Sequence, residues 1–163
     1  MNVIEVPVGN YRVVRGKDTT YTEGLEACVG VALFGDRKEF RSLAHIHCGG
    51  ARTDFDAESK IAEETIREAM ALSQITYPKA IVVATPYELN EEGEYQNPML
   101  FFVSEYLKRN GVEIKATDDV RHVNGIRKVH SKDMILTPEK VKIIYRNRAG
   151  RWDTKDTKLI GLR

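Results

Sequence analysis

The chain has 163 residues, with 25 Lys+Arg against 24 Asp+Glu and a formal net charge of +1. That length suits a single domain over residues 1–163, and the charge balance excludes a uniformly basic nucleic-acid coat or an acidic disordered tail. Two cysteines are too few for a secreted disulfide framework, no apolar run approaches the roughly 18–20 residues of a membrane span, and the first residues lack a signal peptide's basic and apolar regions, so a cytoplasmic protein is expected.

Val3 to Val8 and Tyr11 to Gly16 read as short strands joined by a turn at Gly9-Asn10. Ala27 to Phe34 is a nearly continuous apolar run, the mark of a strand buried on both faces. Turn chemistry at residues 35–38 leads into a returning strand over Glu39 to Cys48. Asp54 and Asp56 offer N-caps for a long helix, about Ala57 to Gln74, whose apolar residues Ile61, Ile66, Ala69 and Met70 fall at helical spacing. Tyr77-Pro78 closes that segment, and Lys79 to Thr85 is another strand of the buried type. A second helix is bracketed by Asn97 at the N-cap, Pro98 at the first position and Gly111 just past the end. Val112 to Thr117, Val120 to Val129 and Val141 to Tyr145 read as strands, with a last one near Lys158 to Leu162. Many strands without strict helix alternation predict an α+β fold, with mixed β-sheets in a sandwich-like core and two to three flanking helices.

Charge is distributed unevenly. Residues 120–151 carry nine Lys/Arg against Asp133 and Glu139, whereas residues 51–70 carry six acids against three bases. The basic third reads either as a solvated sheet face or as a dock for an acidic protein surface. No aromatic interleaving or nucleic-acid motif accompanies it, so nucleic acid is not the expected partner.

Chemistry is concentrated in two segments. Cys28 stands at the head of a buried strand, directly after a turn that contains Gly24. The next strand carries His45 and His47, two residues apart and so on one face. If the two strands pair, an imidazole approaches the sulfur and can take its proton, the requirement of nucleophilic cysteine catalysis. Thr22 would orient that imidazole through its hydroxyl or carbonyl. Backbone N–H groups at Ala27 and Cys28, in the turn that Gly24 opens, would hold an oxyanion. The competing reading is a structural core cysteine, a common use of the residue. Cys48 as nucleophile is a further alternative, but it lacks the buried strand and the orienting turn. His45, His47, Cys48 and Cys28 suit zinc by donor type, yet His45 and Cys48 are three apart on a strand and no ligand-pair spacing occurs, so no metal is expected.

Thr22-x-Gly24-Leu25-x-x-Cys28-Val29 with Leu43-Ala44-His45-Ile46 resembles the hallmark of the CheD family of chemoreceptor glutamine deamidases. The opening strands, the long helix after the His strand, and the second helix ending at Leu107-Lys108-Arg109-Asn110-Gly111 follow the family order. The resemblance implies a protein-glutamine amidohydrolase in chemotaxis signalling, with Cys28 as nucleophile, His45 as base and acid, and Thr22 orienting His45. It implies no cofactor, helical chemoreceptor segments as substrate, and a CheC-like phosphatase as partner.

The chain departs from the pattern at several points. The family's Gly-Ser before the nucleophile is Glu26-Ala27 here, and a negative side chain turned inward would disfavour the thiolate. His47-Cys48-Gly49 replaces Met-Leu-Pro, and the glycine-rich stretches expected near Ala84-Thr85-Pro86-Tyr87 and Val120-Arg121-His122 are absent. Two alternatives stay open: a catalytically altered module that binds an acidic protein surface, and a cysteine hydrolase of another amide or a methyl ester. An activated Cys28 is expected to alkylate well below pH 8, and faster than Cys48.

Overall fold

The computed structural model describes residues 1–37, 40–50, 54–123, 128–148 and 152–163, without the side chains of 152–155. Its strands are β1 (Val3–Glu5), β2 (Tyr11–Arg15), β3 (Thr19–Leu25), β4 (Val29–Phe34), β5 (Phe40–Ile46), β6 (Lys79–Ala84), β7 (Glu88–Leu89), β8 (Tyr95–Gln96), β9 (Glu113–Asp118), β10 (Ser131–Leu136), β11 (Lys140–Arg146) and β12 (Trp152–Gly161). The helices are α1 (Phe55–Ser73) and α2 (Pro98–Arg109).

Ten of these strands form two five-stranded mixed sheets, ordered β1-β3-β10-β11-β12 and β2-β5-β4-β6-β9, and β7 and β8 make a small hairpin. The parallel pairs are β1 with β3 and β6 with β9; the other pairs in both large sheets are antiparallel. The architecture is α+β, as the sequence pattern predicts.

The apolar run at β4 has two covers, one per face. Val29, Val31 and Leu33 join Ile66 and Ala69 of α1 and Met99, Val103 and Leu107 of α2 in one cluster. Cys28, Ala32 and Phe34 face the first sheet, where they meet Leu25, Met134, Leu136 and Ile143. Polar side chains on either face would lie buried, so the run has no polar alternation. Both helices thus lie on one side of the second sheet, and the first sheet lies on the other.

Both helix starts follow their capping residues. Asp54 accepts the Ala57 N–H at 3.2 Å, and Asn97 accepts the Leu100 N–H at 3.2 Å with Pro98 following it. Gln74 ends α1 in the left-handed region at φ 52°, before Tyr77-Pro78 is reached. Past α2, Gly111 takes φ 77°.

Three expectations need correction. The first two strands lie in different sheets, β1 beside β3 and β2 beside β5. Val120 to Val129 is not a strand at its described residues; the strand begins at Ser131. In the basic third, Lys132 and Asp133 are both buried with charged partners. Lys132 Nζ contacts Asp118 Oδ1 at 2.6 Å, and Arg146 Nε contacts Asp133 Oδ2 at 2.6 Å. The basic third is therefore not one solvated face, since Lys132 is wholly buried. Arg127, Arg151 and the Trp152 side chain lie outside the described residues.

Candidate functional site

β4 and β5 pair antiparallel with Val29 opposite Ile46 and Gly30 opposite His45. Cys28, two residues before Gly30, packs in the space between the sheets. His45 enters the same space, because its ring meets Thr22 on β3 of the first sheet. Cys28, just ahead of β4, and His45 on β5 thus both reach the space between the two sheets. The His45 backbone is held as well: its carbonyl accepts the Gly9 N–H at 2.8 Å and its N–H donates to Asn10 O at 2.9 Å.

The proton on His45 is fixed by its neighbours. Thr22 Oγ1 donates to Val6 O at 2.7 Å, and it lies 2.7 Å from His45 Nδ1. A hydroxyl has one proton, here given to the carbonyl, so Thr22 must accept from an Nδ1–H. Nε2 is then the basic nitrogen. It is buried and has no hydrogen-bond partner among the described residues. Burial pushes the imidazole pKa down to about 4, with His47 adding to the shift, so the ring is neutral at physiological pH.

The thiol at rest is turned elsewhere. Cys28 Sγ lies 3.8 Å from Cys48 O. Burial pushes Cys28 up from the ordinary thiol value; the contact with the Cys48 main chain opposes this, and Glu58 and Glu26 add to it. Glu26, the departure that raised concern, is half-exposed and reaches His130 Nε2 at 3.3 Å. Its side chain points to the rim, although its charge is still felt at the sulfur.

The bend that presents Cys28 is tethered from three directions. Gly24 takes φ 72°, and its N–H donates to Asp133 Oδ1 at 2.9 Å. Gly24 thus lies within β3, where its register with β10 shifts, and not in the turn expected from the sequence; its N–H is not available to an oxyanion. Ala27 and Cys28 lie between β3 and β4, outside both ladders. Thr85 Oγ1 donates to Leu25 O at 2.8 Å. Asn97 Nδ2 donates to Ala27 O and Thr85 O, each at 3.1 Å, while its Oδ1 caps α2. Sequence reasoning identified Asn97 as a cap alone and missed Thr85 and Asp133, since their partners Leu25 and Gly24 lie 60 and 109 residues away.

His47 and Cys48 stand apart from the His45 pocket. His47 is exposed at the end of β5, 3.7 Å from Glu58 Oε1, and Cys48 Sγ lies 3.9 Å from Tyr87 Oη. Among the described residues no group of three or more His, Cys, Asp or Glu is placed to hold a metal ion. No helix among them is long and apolar enough to cross a membrane.

No protein-family model matches the chain, and neither does any curated protein sequence. Solved structures superpose on it in part. Protein NMB0706 of Neisseria meningitidis, family model DUF152, superposes with a TM-score of 0.52 at 10% identity over 74% of this chain and 64% of that one. The C-terminal domain of CNFy from Yersinia pseudotuberculosis gives a TM-score of 0.48 at 10% identity over 98% of this chain and 61% of that one. The chain thus matches less than two thirds of the length of either. At that identity the likeness to NMB0706 is one of fold alone, and any reading of the chemistry rests on the residues around Cys28 and His45.

Proposed function

We propose that the chain is a cysteine-dependent amidohydrolase acting on glutamine side chains of a partner protein. The observation that carries this reading is Thr22 held between Val6 O and His45 Nδ1, which leaves Nε2 basic, buried and unpartnered in the space between the sheets that Cys28 also reaches. Buried side-chain nitrogens are as a rule hydrogen-bonded, and one that is not calls for an explanation.

In the proposed reaction, rotation about the Cys28 Cα–Cβ bond swings the sulfur from Cys48 O toward His45 Nε2, which takes the thiol proton as the sulfur attacks the carboxamide carbon. N–H groups of Ala27 and Cys28 hold the oxygen as it gains charge. The imidazolium returns the proton to nitrogen, ammonia leaves, and a thioester remains on Cys28. Water, deprotonated by Nε2, then cleaves the thioester to glutamate and free thiol. The net change is carboxamide plus water to carboxylic acid plus ammonia, with no cofactor. Chemoreceptor-like helices as substrate, a CheC-like phosphatase as partner and a cytoplasmic setting follow from the CheD-like motif residues alone.

The test is ammonia release from a receptor helical fragment by the unmodified chain and by Cys28→Ala. Release that depends on Cys28 supports the reading; equal, background release with both proteins folded removes it for that substrate. A second reading, a protein-binding module without turnover, is favoured by the raised thiol pKa and by the sulfur's contact with Cys48 O. Trapping of a thioester on Cys28 by hydroxylamine distinguishes the two. The same thiolate would serve another amide or a methyl ester, and methanol release in place of ammonia would identify the ester.

A further inference from the structure

A cleft of about 420 Å³ opens beside the Cys28 bend, with Thr85, Pro86 and Tyr87 on one wall. Arg121, Lys128 and Arg148 converge on it from three segments: the loop after β9, the approach to β10 and the exit from β11. Its one acid, Glu26, is directed at His130. Among the described residues no carboxylate forms an ion pair with Arg121, Lys128 or Arg148. Three cations against one acid, itself engaged by His130, focus a field that attracts anions. The Arg121 guanidinium lies 3.0 Å from the Tyr95 ring centroid, and its shielded Nε has no hydrogen-bond partner among the described residues. The segment is also closed on itself, since the Val129 N–H donates to Arg121 O at 2.7 Å.

The cleft adjoins the thiol. Tyr87 Oη lies 3.9 Å from Cys48 Sγ, and Cys48 O lies 3.8 Å from Cys28 Sγ. Glu26 on the opposite rim is two residues from Cys28. A polypeptide lying in the cleft would lie against Tyr87 and Glu26, which connect to Cys28 through Cys48 and through the chain.

We propose that this cleft docks an acidic polypeptide segment, so that the carboxamide presented to Cys28 is one flanked by Asp or Glu. The docking step rests on the proposed reaction for its purpose but not for its measurement. A polypeptide fits better than single-stranded nucleic acid, because the Tyr95 face that a base would stack on is covered by Arg121.

The experiment is fluorescence anisotropy with the full chain carrying Cys28→Ala. Two labelled peptides each hold one central glutamine, flanked by glutamates in one and serines in the other. The glutamate peptide is expected to bind tighter, with the advantage lost at high salt. Lys128→Glu and Arg148→Glu, both at exposed positions, should each weaken it about three- to fivefold and leave the serine peptide unchanged. Equal binding of the two peptides, or no response to either charge reversal, overturns the proposal. So does a single-stranded oligonucleotide of matched charge that binds tighter than the glutamate peptide. Ammonia release by the unmodified chain is read separately. Equal release from both peptides would leave the amidohydrolase standing and sink the docking step, whereas selective binding without release would do the reverse.

Discussion

Thr22 and His45 stand on different sheets, and the 2.7 Å contact between Oγ1 and Nδ1 joins them across the core. Because Thr22 gives its own proton to Val6 O, the contact sets the tautomer of the imidazole as well as its position. Thr22→Val keeps the shape and removes the acceptor. We expect a loss of activity of about 10²-fold or more, the scale of a misprotonated general base. It should also cost about 1–3 kcal/mol of stability, because Val6 O and the ring lose a buried partner. Thr22→Ser should recover most of both. Ammonia release and urea unfolding on the three proteins measure this; a fully active Thr22→Val would remove the orienting role.

The depressed His45 pKa has a consequence for stability. In the unfolded chain the ring takes a proton near pH 6.5, but in the folded chain only near pH 4. The His45 contribution is therefore present in full above pH 6.5 and is lost as pH falls toward 4, where the unfolded state binds the extra proton. A displacement of that size corresponds to about 3 kcal/mol in total and about 2 kcal/mol between pH 7 and pH 5. Urea midpoints of the parent and His45→Gln at the two pH values isolate it. If the parent loses no more stability than the variant, the buried neutral ring is not what the acid limb reports.

A resting thiolate–imidazolium pair is not expected with a neutral His45 and a raised Cys28. Iodoacetamide labelling of Cys28 should be slow at pH 7 and should climb only beyond the ordinary thiol range, contrary to the sequence-based expectation of labelling well below pH 8. Cys48 is raised by burial too and should not label much faster. In the proposed reaction the reactive state forms only when a carboxamide in the site draws the sulfur to Nε2, so a substrate-like peptide should alter the Cys28 rate selectively. Mass spectrometry of the labelled peptides resolves the two cysteines, and rapid Cys28 labelling at pH 6 would contradict the resting arrangement.

The parts of the molecule legible in its sequence are those where one local signal suffices. The unbroken apolar run from Ala27 to Phe34 requires two buried faces, and both exist. Asn97-Pro98 and Gly111 bracket α2 because capping and φ preference act within one turn. The antiparallel pairing of β4 with β5 was legible too, and His45 on β5 reaches the space between the sheets, whereas His47, two residues on, is exposed past the strand's end. What stayed hidden depends on distant partners. Ser131–Leu136 looks unlike a core strand until Asp118 and Arg146 are seen to neutralise Lys132 and Asp133. Nothing local assigns β1 and β2 to separate sheets, and nothing in Asn97 announces that its amide also holds the Cys28 bend.

Lys132 illustrates how much depends on such a partner. Its Nζ contacts Ala84 O at 2.7 Å as well as Asp118, and the Tyr145 hydroxyl donates to the second Asp118 oxygen. Burial pushes its pKa down and Asp118 opposes this. Lys132→Met should cost about 3–5 kcal/mol, since it leaves Asp118 and the Ala84 carbonyl buried without the ammonium. Adding Asp118→Asn should recover part of that loss, because a neutral amide is cheaper to bury unpaired than a carboxylate. Guanidinium unfolding of the three variants tests it. A double variant less stable than Lys132→Met alone would mean that Asp118 serves Tyr145 more than Lys132.

Gly30 is the point where the two sheets meet at the site. It faces His45 across the β4–β5 ladder, and a Cβ built on it would stand 2.2 Å from Met134 Sδ and 2.8 Å from Leu25 Cδ1. The glycine is thus explained by the close approach of the first sheet, with Met134 filling the place of the missing side chain. Gly30→Ala must push the Met134 thioether and the Leu25 methyl aside, next to the Thr22–His45 contact. Overpacking of this kind costs about 1–3 kcal/mol, and activity should fall further than stability because it depends on that contact. Met134 is flexible and apolar, so Gly30→Ala with Met134→Leu, which replaces the sulfur with a shorter branch, should recover stability first and activity in part. Denaturation and ammonia release on the single and double variants follow the two effects separately. A Gly30→Ala protein as stable and active as the parent would show that the sheets do not need this approach to hold His45 in place.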